Sequence, residues 1–188
     1  MADASIQRFK QKYEALAGIV HLAASTDEAA DIVASILREA DARRVAIGEL
    51  AGGLQEAVEA RCEGAGVAVL KPPFQHAELH HRIDAAQVGV SMAAFAIAET
   101  GTLVEFATDD AFRLVSTLPG VHVGVFRAED LVETLREAAP RIRDFYEANP
   151  HNATATFISG PSRTADIEMR LTLGVHGPAV AHAVVIKT

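Results

Sequence analysis

A single cysteine, Cys62, is all that this chain of 188 residues offers for disulfide or thiolate chemistry. An internal disulfide framework is excluded, and a Cys-ligated zinc or iron–sulfur centre cannot be built from this chain alone. A reducing compartment suits that usage, so the expected location is cytoplasmic. Basic charge is also scarce. Lys+Arg 17 against Asp+Glu 25 leaves a formal charge of −8, and no basic run offsets a field that repels nucleic acid and anionic membranes. No apolar run reaches the ~18 residues of a membrane span. The start, Met1-Ala2-Asp3-Ala4-Ser5, has no basic region followed by an apolar stretch, so the chain reads as soluble and unprocessed. The glycine and lysine spacing of a nucleotide phosphate loop and the spaced glycines of a dinucleotide fingerprint are both missing, which argues against ATP and NAD. His80 and His81 are neighbours that point about 100° apart on a helix, without a partner one turn away, so no metal is expected. No cofactor is called for.

What is present describes a folded protein: hydrophobic residues are 49% and charged residues 22% of the chain, the balance of a globular domain. The length suits one domain, 1–188, with a peripheral helical segment at about 1–42. In that segment Ile6, Phe9, Tyr13, Leu16 and Val20 recur at helical spacing after a Ser5 cap, and a second helix runs from a Thr26 cap to about Ala42. Val45–Gly48, then a helical stretch from Leu54, then Val67–Leu70 reads as strand, helix, strand. Apolar runs without a polar face point to a mostly parallel sheet covered by helices on both sides, an α/β fold. A helix is expected from Ala77 to about Ala86. Val88 to Ala98, interrupted by Gly89 and Ser91, fits strands or a buried helix equally well. Thr102–Phe106 and Val121–Phe126 read as strands, Arg113–Leu118 as a short helix, and Leu131 to Ala139 as helical; Pro140 then opens a further turn or helix. Thr154–Ile158 and Ala181–Ile186 are the last strands, around a segment punctuated by Gly and Pro.

Three stretches carry candidate chemistry. Ser159-Gly160-Pro161-Ser162-Arg163-Thr164-Ala165-Asp166-Ile167-Glu168 follows a strand and opens into an expected helix, where free N–H groups and Arg163 suit an anion. The alternative is an ordinary cap, with Ser162 or Thr164 on the helix and Arg163 paired to a nearby carboxylate. Glu99, before Thr100-Gly101-Thr102, brings a carboxylate into an apolar run; it is a candidate base, acyl-accepting nucleophile or hydroxyl acceptor, or else an anchor for the turn through backbone N–H groups. His176, between Gly174 and Gly177, is a candidate proton-transfer residue or a turn-stabilising side chain. The catalytic candidates are therefore Glu99 and His176. The ligand-binding candidates are Thr100, Gly101, Thr102, Ser159, Gly160, Ser162, Arg163, Thr164, Gly174 and Gly177. His122 and His182 read as strand-face histidines satisfied by hydrogen bonds, and Cys62 as packing.

These motifs resemble the lactate-utilisation protein C family, the LUD domain. The matching strings are Ile97-Ala98-Glu99-Thr100-Gly101-Thr102, Arg113-Leu114-Val115-Ser116 with Leu118-Pro119 and His122, the stretch from Ser159 to Glu168, and Gly174-Val175-His176-Gly177-Pro178. Where relatives often carry Asp, this chain has Ala94. The resemblance implies a three-layer α/β/α fold similar to the ribose-phosphate isomerase, glucosamine-phosphate isomerase and CoA-transferase superfamily. It also implies participation in bacterial oxidation of L-lactate to pyruvate beside two iron–sulfur partner subunits. This chain, lacking cluster ligands, would be a clusterless accessory subunit that binds a small anionic substrate or those partners. The competing expectation is a stand-alone isomerase- or CoA-transferase-like enzyme acting on a sugar phosphate or acyl-CoA, with Glu99 as base or nucleophile. A purely structural, oligomer-forming domain is the third.

Overall fold

Apolar runs become strands, which are buried on both sides where they are central. In the computed structural model, which describes residues 2–74, 78–164 and 172–187, six of them form one all-parallel sheet. These are β1 (Ile19–Ala23), β2 (Arg44–Ile47), β3 (Ala68–Leu70), β4 (Val88–Met92), β7 (Val121–Arg127) and β12 (Val180–Ile186), in the order β1-β12-β7-β4-β2-β3. One face is covered by α2 (Thr26–Glu39) and α3 (Leu54–Ala65), whose Val33, Ile36, Leu54 and Val58 pack on Val45, Val90, Val123 and Val184. The opposite face carries α1 (Ala2–Ala15), α4 (Leu79–Asp84) and α5 (Asp110–Thr117). The fold is a three-layer α/β/α arrangement.

A second, smaller sheet lies against the same face as α1 and α5. It is built from β5 (Phe95–Ile97), β6 (Thr102–Ala107), β8 (Leu131–Val132) and β9 (Thr154–Ile158), in the order β8-β5-β6-β9, with only the β5–β8 pair parallel. Its outer face is closed by α6 (Leu135–Ala148), where Ala138 and Ile142 meet Phe95, Ile97 and Val104. β10 (Arg163–Thr164) and β11 (Thr172–Leu173) form a short antiparallel pair. The close approach of this face depends on glycine. A Cβ at Gly89 of β4 would lie 1.9 Å from the Val115 carbonyl oxygen of α5, and one at Gly124 of β7 would lie 2.3 Å from Leu103 of β6. Among the described residues no helix is long and apolar enough to cross a membrane.

Several local expectations change. α1 begins at Ala2, ahead of the expected Ser5 cap, and the Ser5 hydroxyl instead donates to Glu133. The segment expected to be helical to about residue 42 is divided by β1, so Val20 sits on a strand, and α1 drives Phe9 and Tyr13 fully into the core. Ser25, not Thr26, caps α2 by accepting from Glu28 N–H at 3.1 Å. Val88 to Ala98 forms β4 and β5, which belong to different sheets. Leu131 and Val132 are strand rather than helix, and Pro140 lies inside α6. Arg163 and Thr164 form β10 instead of opening a helix; residues 165–168 of that motif lie outside the described residues.

Candidate functional site

Polar groups inside an apolar core must find one another. Ser91 of β4, Glu105 of β6 and His122 of β7 are all buried, at 6%, 7% and 1% exposure, and they meet between the two sheets. The Ser91 hydroxyl donates to Glu105 Oε1. His122 Nε2 is 2.7 Å from Ser91 Oγ and 3.4 Å from Glu105 Oε1. Burial by itself pushes the Glu105 carboxyl up. Hydrogen bonds from His122, Ser91 and Ser116, with the His122 charge, outweigh burial and hold the group below the usual carboxylate range. His122 Nδ1 has no hydrogen-bond partner among the described residues.

This cluster separates two clefts. The first, about 730 Å³, is lined by Gly48, Glu49 and Leu50 beyond β2 and by Ala93 and Ala94 beyond β4, with Ser91, Glu105 and Arg113 among its walls. From β2 the chain runs outward through α3 to β3, then returns through α4 on the opposite face to β4. The carboxyl ends of β2 and β4 thus flank the topological switch point, where open α/β sheets place their ligands. Arg113 Nη2 is held by Asp110 at 2.5 Å.

The second cleft, about 430 Å³, lies on the other side of the cluster, and His122 and Ser116 line it. It gathers six of the residues marked by the sequence: Ser159, Gly160, Ser162, Arg163, His176 and Gly177. Among its described lining residues there is no carboxylate. The two strings are drawn together by backbone bonds: Ser162 N–H donates to the Pro178 carbonyl at 2.9 Å, and Gly174 N–H to the Ser162 carbonyl at 3.0 Å.

Glu99 lines neither cleft. It is exposed at the start of α6, where its Oε2 accepts from Leu135 N–H at 3.1 Å. The turn after it serves packing: Gly101 has φ 62°, and a Cβ there would lie 2.4 Å from Tyr13 N of α1. Thr100 and Thr102 hydroxyls are 2.7 Å apart, and Thr102 is in turn 2.7 Å from Ser159 Oγ, which links this turn to the second cleft without lining it. Thr164 pairs with Thr172 on the short β10–β11 ladder. Gly174, at φ 72°, packs on Ala179. Among the described residues no group of three or more His, Cys, Asp or Glu is arranged to hold a metal.

Sequence reasoning did not single out Ser91, Glu105 or Ser116 as site residues. The signal available was slight: Ser91 and Glu105 interrupt otherwise apolar strands, and an uncompensated carboxylate there is costly. Only the contact between strands 14 and 31 positions apart from Ser91 supplies the compensation.

A second buried histidine makes folding sensitive to acid. His182 Nδ1 lies 3.0 Å from His21 Nε2 across β12 and β1. Burial first, and then neighbouring His21, hold the His182 pKa down from 6.5 to about 4, against an opposing pull from Glu39. The folded value lies below the unfolded one, so the unfolded chain takes up the proton first and stability falls as pH drops from about 6.5 toward 4. With allowance for the half-open His21 side, the loss between pH 8 and pH 5 is about 1–2 kcal/mol. Urea titrations at the two pH values measure it, and His182→Gln is expected to flatten the difference; an unchanged difference refutes the assignment.

A parallel sheet with a cleft at the switch point, backed by a smaller mixed sheet, defines the chain as an α/β/α protein of the kind that receives ligands at the carboxyl edge. The LUD domain family model matches residues 6–186, and the chain belongs to that family. Lactate utilization protein C of Shouchella clausii is 38% identical over 101 residues, covering 54% of this chain and 44% of that protein. Lactate utilization protein C of Deinococcus radiodurans is 37% identical over 125 residues, covering 64% of this chain and 55% of that protein. The chain thus spans about half the length of these curated relatives. The crystal structure of a DUF162 family protein from Deinococcus radiodurans superposes with a TM-score of 0.69 at 22% identity, covering 99% of this chain and 98% of that one, so the two share a fold.

Proposed function

We propose that this LUD-domain chain acts in lactate utilisation as a clusterless accessory subunit, which holds a small anion in the second cleft and docks on iron–sulfur partner subunits. The observation that carries the reading is the composition of that cleft. Arg163 and His176 converge on it with the hydroxyls of Ser159 and Ser162, and its described lining has no opposing carboxylate. A planar guanidinium can take a carboxylate through two parallel N–H bonds, and such charge-assisted bonds are about twice as strong as neutral ones. Positive local charge is needed here because the molecule as a whole, at −8, disfavours anions. The pathway itself is suggested by relatives named lactate utilization protein C.

Calorimetric titration with L-lactate and with pyruvate tests the anion site. Arg163→Ala is expected to weaken binding about tenfold; equal affinity in the variant and the parent protein sinks the reading. Co-elution with iron–sulfur proteins of a lactate-oxidising system tests the accessory role, and failure to form any complex removes it. The alternative, an isomerase- or CoA-transferase-like enzyme, needs a carboxylate in a cleft. Glu105 supplies one in the first cleft, whereas Glu99 is engaged with α6.

A further inference from the structure

The first cleft has a chemistry that an anion site does not use. Phe106 of β6 and Phe145 of α6 stack face to face, with centroids 4.1 Å apart and planes 1° apart, and Phe112 of α5 lines the same hollow. All three rings are half-buried, so aromatic surface remains for a guest. The charged groups of the cleft are two carboxylates and one guanidinium. Glu105 and Ser91 are buried, Glu49, Gln55, Thr108 and Thr156 add polar lining, and Arg113 is bound to Asp110 through Nη2, while its Nε has no partner among the described residues. A phosphorylated guest would meet two carboxylates against one guanidinium that already pairs with Asp110. Glu105 Oε1 receives the Ser91 hydroxyl and lies 3.4 Å from His122 Nε2, and a carboxylate has about four lone-pair positions, so capacity remains for a further donor. A volume of about 730 Å³ lies within the range of sites that take whole ring systems.

We propose that the first cleft is a separate binding site for an uncharged planar ring compound bearing an N–H or O–H donor, which stacks on the Phe106, Phe112 and Phe145 wall and donates to Glu105. Flat rings are matched by flat rings in offset stacks, and a buried acceptor selects against a guest that has no donor, because the acceptor is then deprived of water without replacement. This site is independent of Arg163 and His176.

Riboflavin, uncharged and carrying a ring N–H, is the probe, and its fluorescence reports stacking. Titrated with the full chain, it is expected to be quenched. Its phosphate ester and menadione, an uncharged ring pair without a donor, are expected to bind about tenfold more weakly or less. Phe145→Ala and Glu105→Gln are each expected to weaken riboflavin about tenfold. Arg163→Ala is expected to leave riboflavin binding unchanged, which separates this proposal from the anion reading. Because Glu105→Gln touches a buried pair, its fold is checked by circular dichroism, and the half-buried Phe145 gives an independent test. Absence of quenching up to the solubility limit overturns the proposal, as does quenching that Phe145→Ala does not reduce.

Discussion

Replacing Glu105 by alanine is expected to lower the free energy of unfolding by about 3 kcal/mol, the cost of removing a buried carboxylate and leaving its hydrogen-bond partners in the core without it. His122 is 1% exposed and Ser91 6%, and without the carboxylate their polar atoms stay in the core with no replacement for it. For a chain of 188 residues, that loss corresponds to a fall in melting temperature of about 10 °C. Thermal unfolding followed by circular dichroism measures it. Replacing Ser91, Glu105 and His122 together by apolar residues of similar volume is expected to recover much of the loss, because no member of the cluster is then left unpaired. A single-variant loss under about 1 kcal/mol would mean the three groups do not act as a unit. The cluster also forms the wall between the clefts, with Ser91 and Glu105 facing the first and His122 the second. The single variant is therefore expected to disturb ligand binding on both sides.

Phe9→Ala is expected to cost about 3–5 kcal/mol, the range for deleting a large aromatic side chain from a packed core. Phe9 is fully buried; its ring lies 5.5 Å from that of Tyr13 and 5.1 Å, edge to face, from Phe126 on β7. Aromatic pairs of this geometry contribute beyond the area they bury. Tyr13 shares the site, and burial, aided by the Glu105 charge, pushes its phenol well above the ordinary value. Urea denaturation with an unchanged dependence on denaturant would locate the effect in stability rather than in compactness. A variant as stable as the parent would mean that α1 is a loose appendage. That outcome would also weaken the account of Gly101 and Gly160, whose missing Cβ atoms leave room for Lys12, Tyr13 and Leu16.

The parallel sheet was legible in part. Val45–Ile47, Val121–Phe126 and Ala181–Ile186 are apolar but for His122 and His182, and such runs belong to a sheet covered on both faces, whereas Val88–Ala98 fitted a buried helix equally well and Val20 shared the helical spacing of the first segment. The helical stripes of α2 and α6 were legible for the same kind of reason, since spacing alone sets which side chains share a face. The smaller sheet was not. β6 and β9 were read as strands, but nothing in them or in Phe95–Ile97 distinguishes a strand of one sheet from a strand of another. Their assignment depends on Ala93 and Ala94, where the chain leaves β4, and on the absent side chain at Gly124 that lets β6 approach β7.

The motif residues divide in the same way. Residue type and order sufficed to mark Ser159, Ser162, Arg163 and His176, and the fold brings these four to one hollow. Glu99 was marked by the same logic, yet it accepts the first N–H of α6, because a carboxylate beside a helix start finds an unpaired donor there. Apolar periodicity, net charge and the single cysteine are properties of the chain in one dimension, and from them alone follow the layered architecture and the exclusion of disulfide and Cys-ligated chemistry. Which polar side chains lose water and meet, above all Ser91, Glu105 and His122, depends on strand register across two sheets. That is decided only when the chain closes on itself.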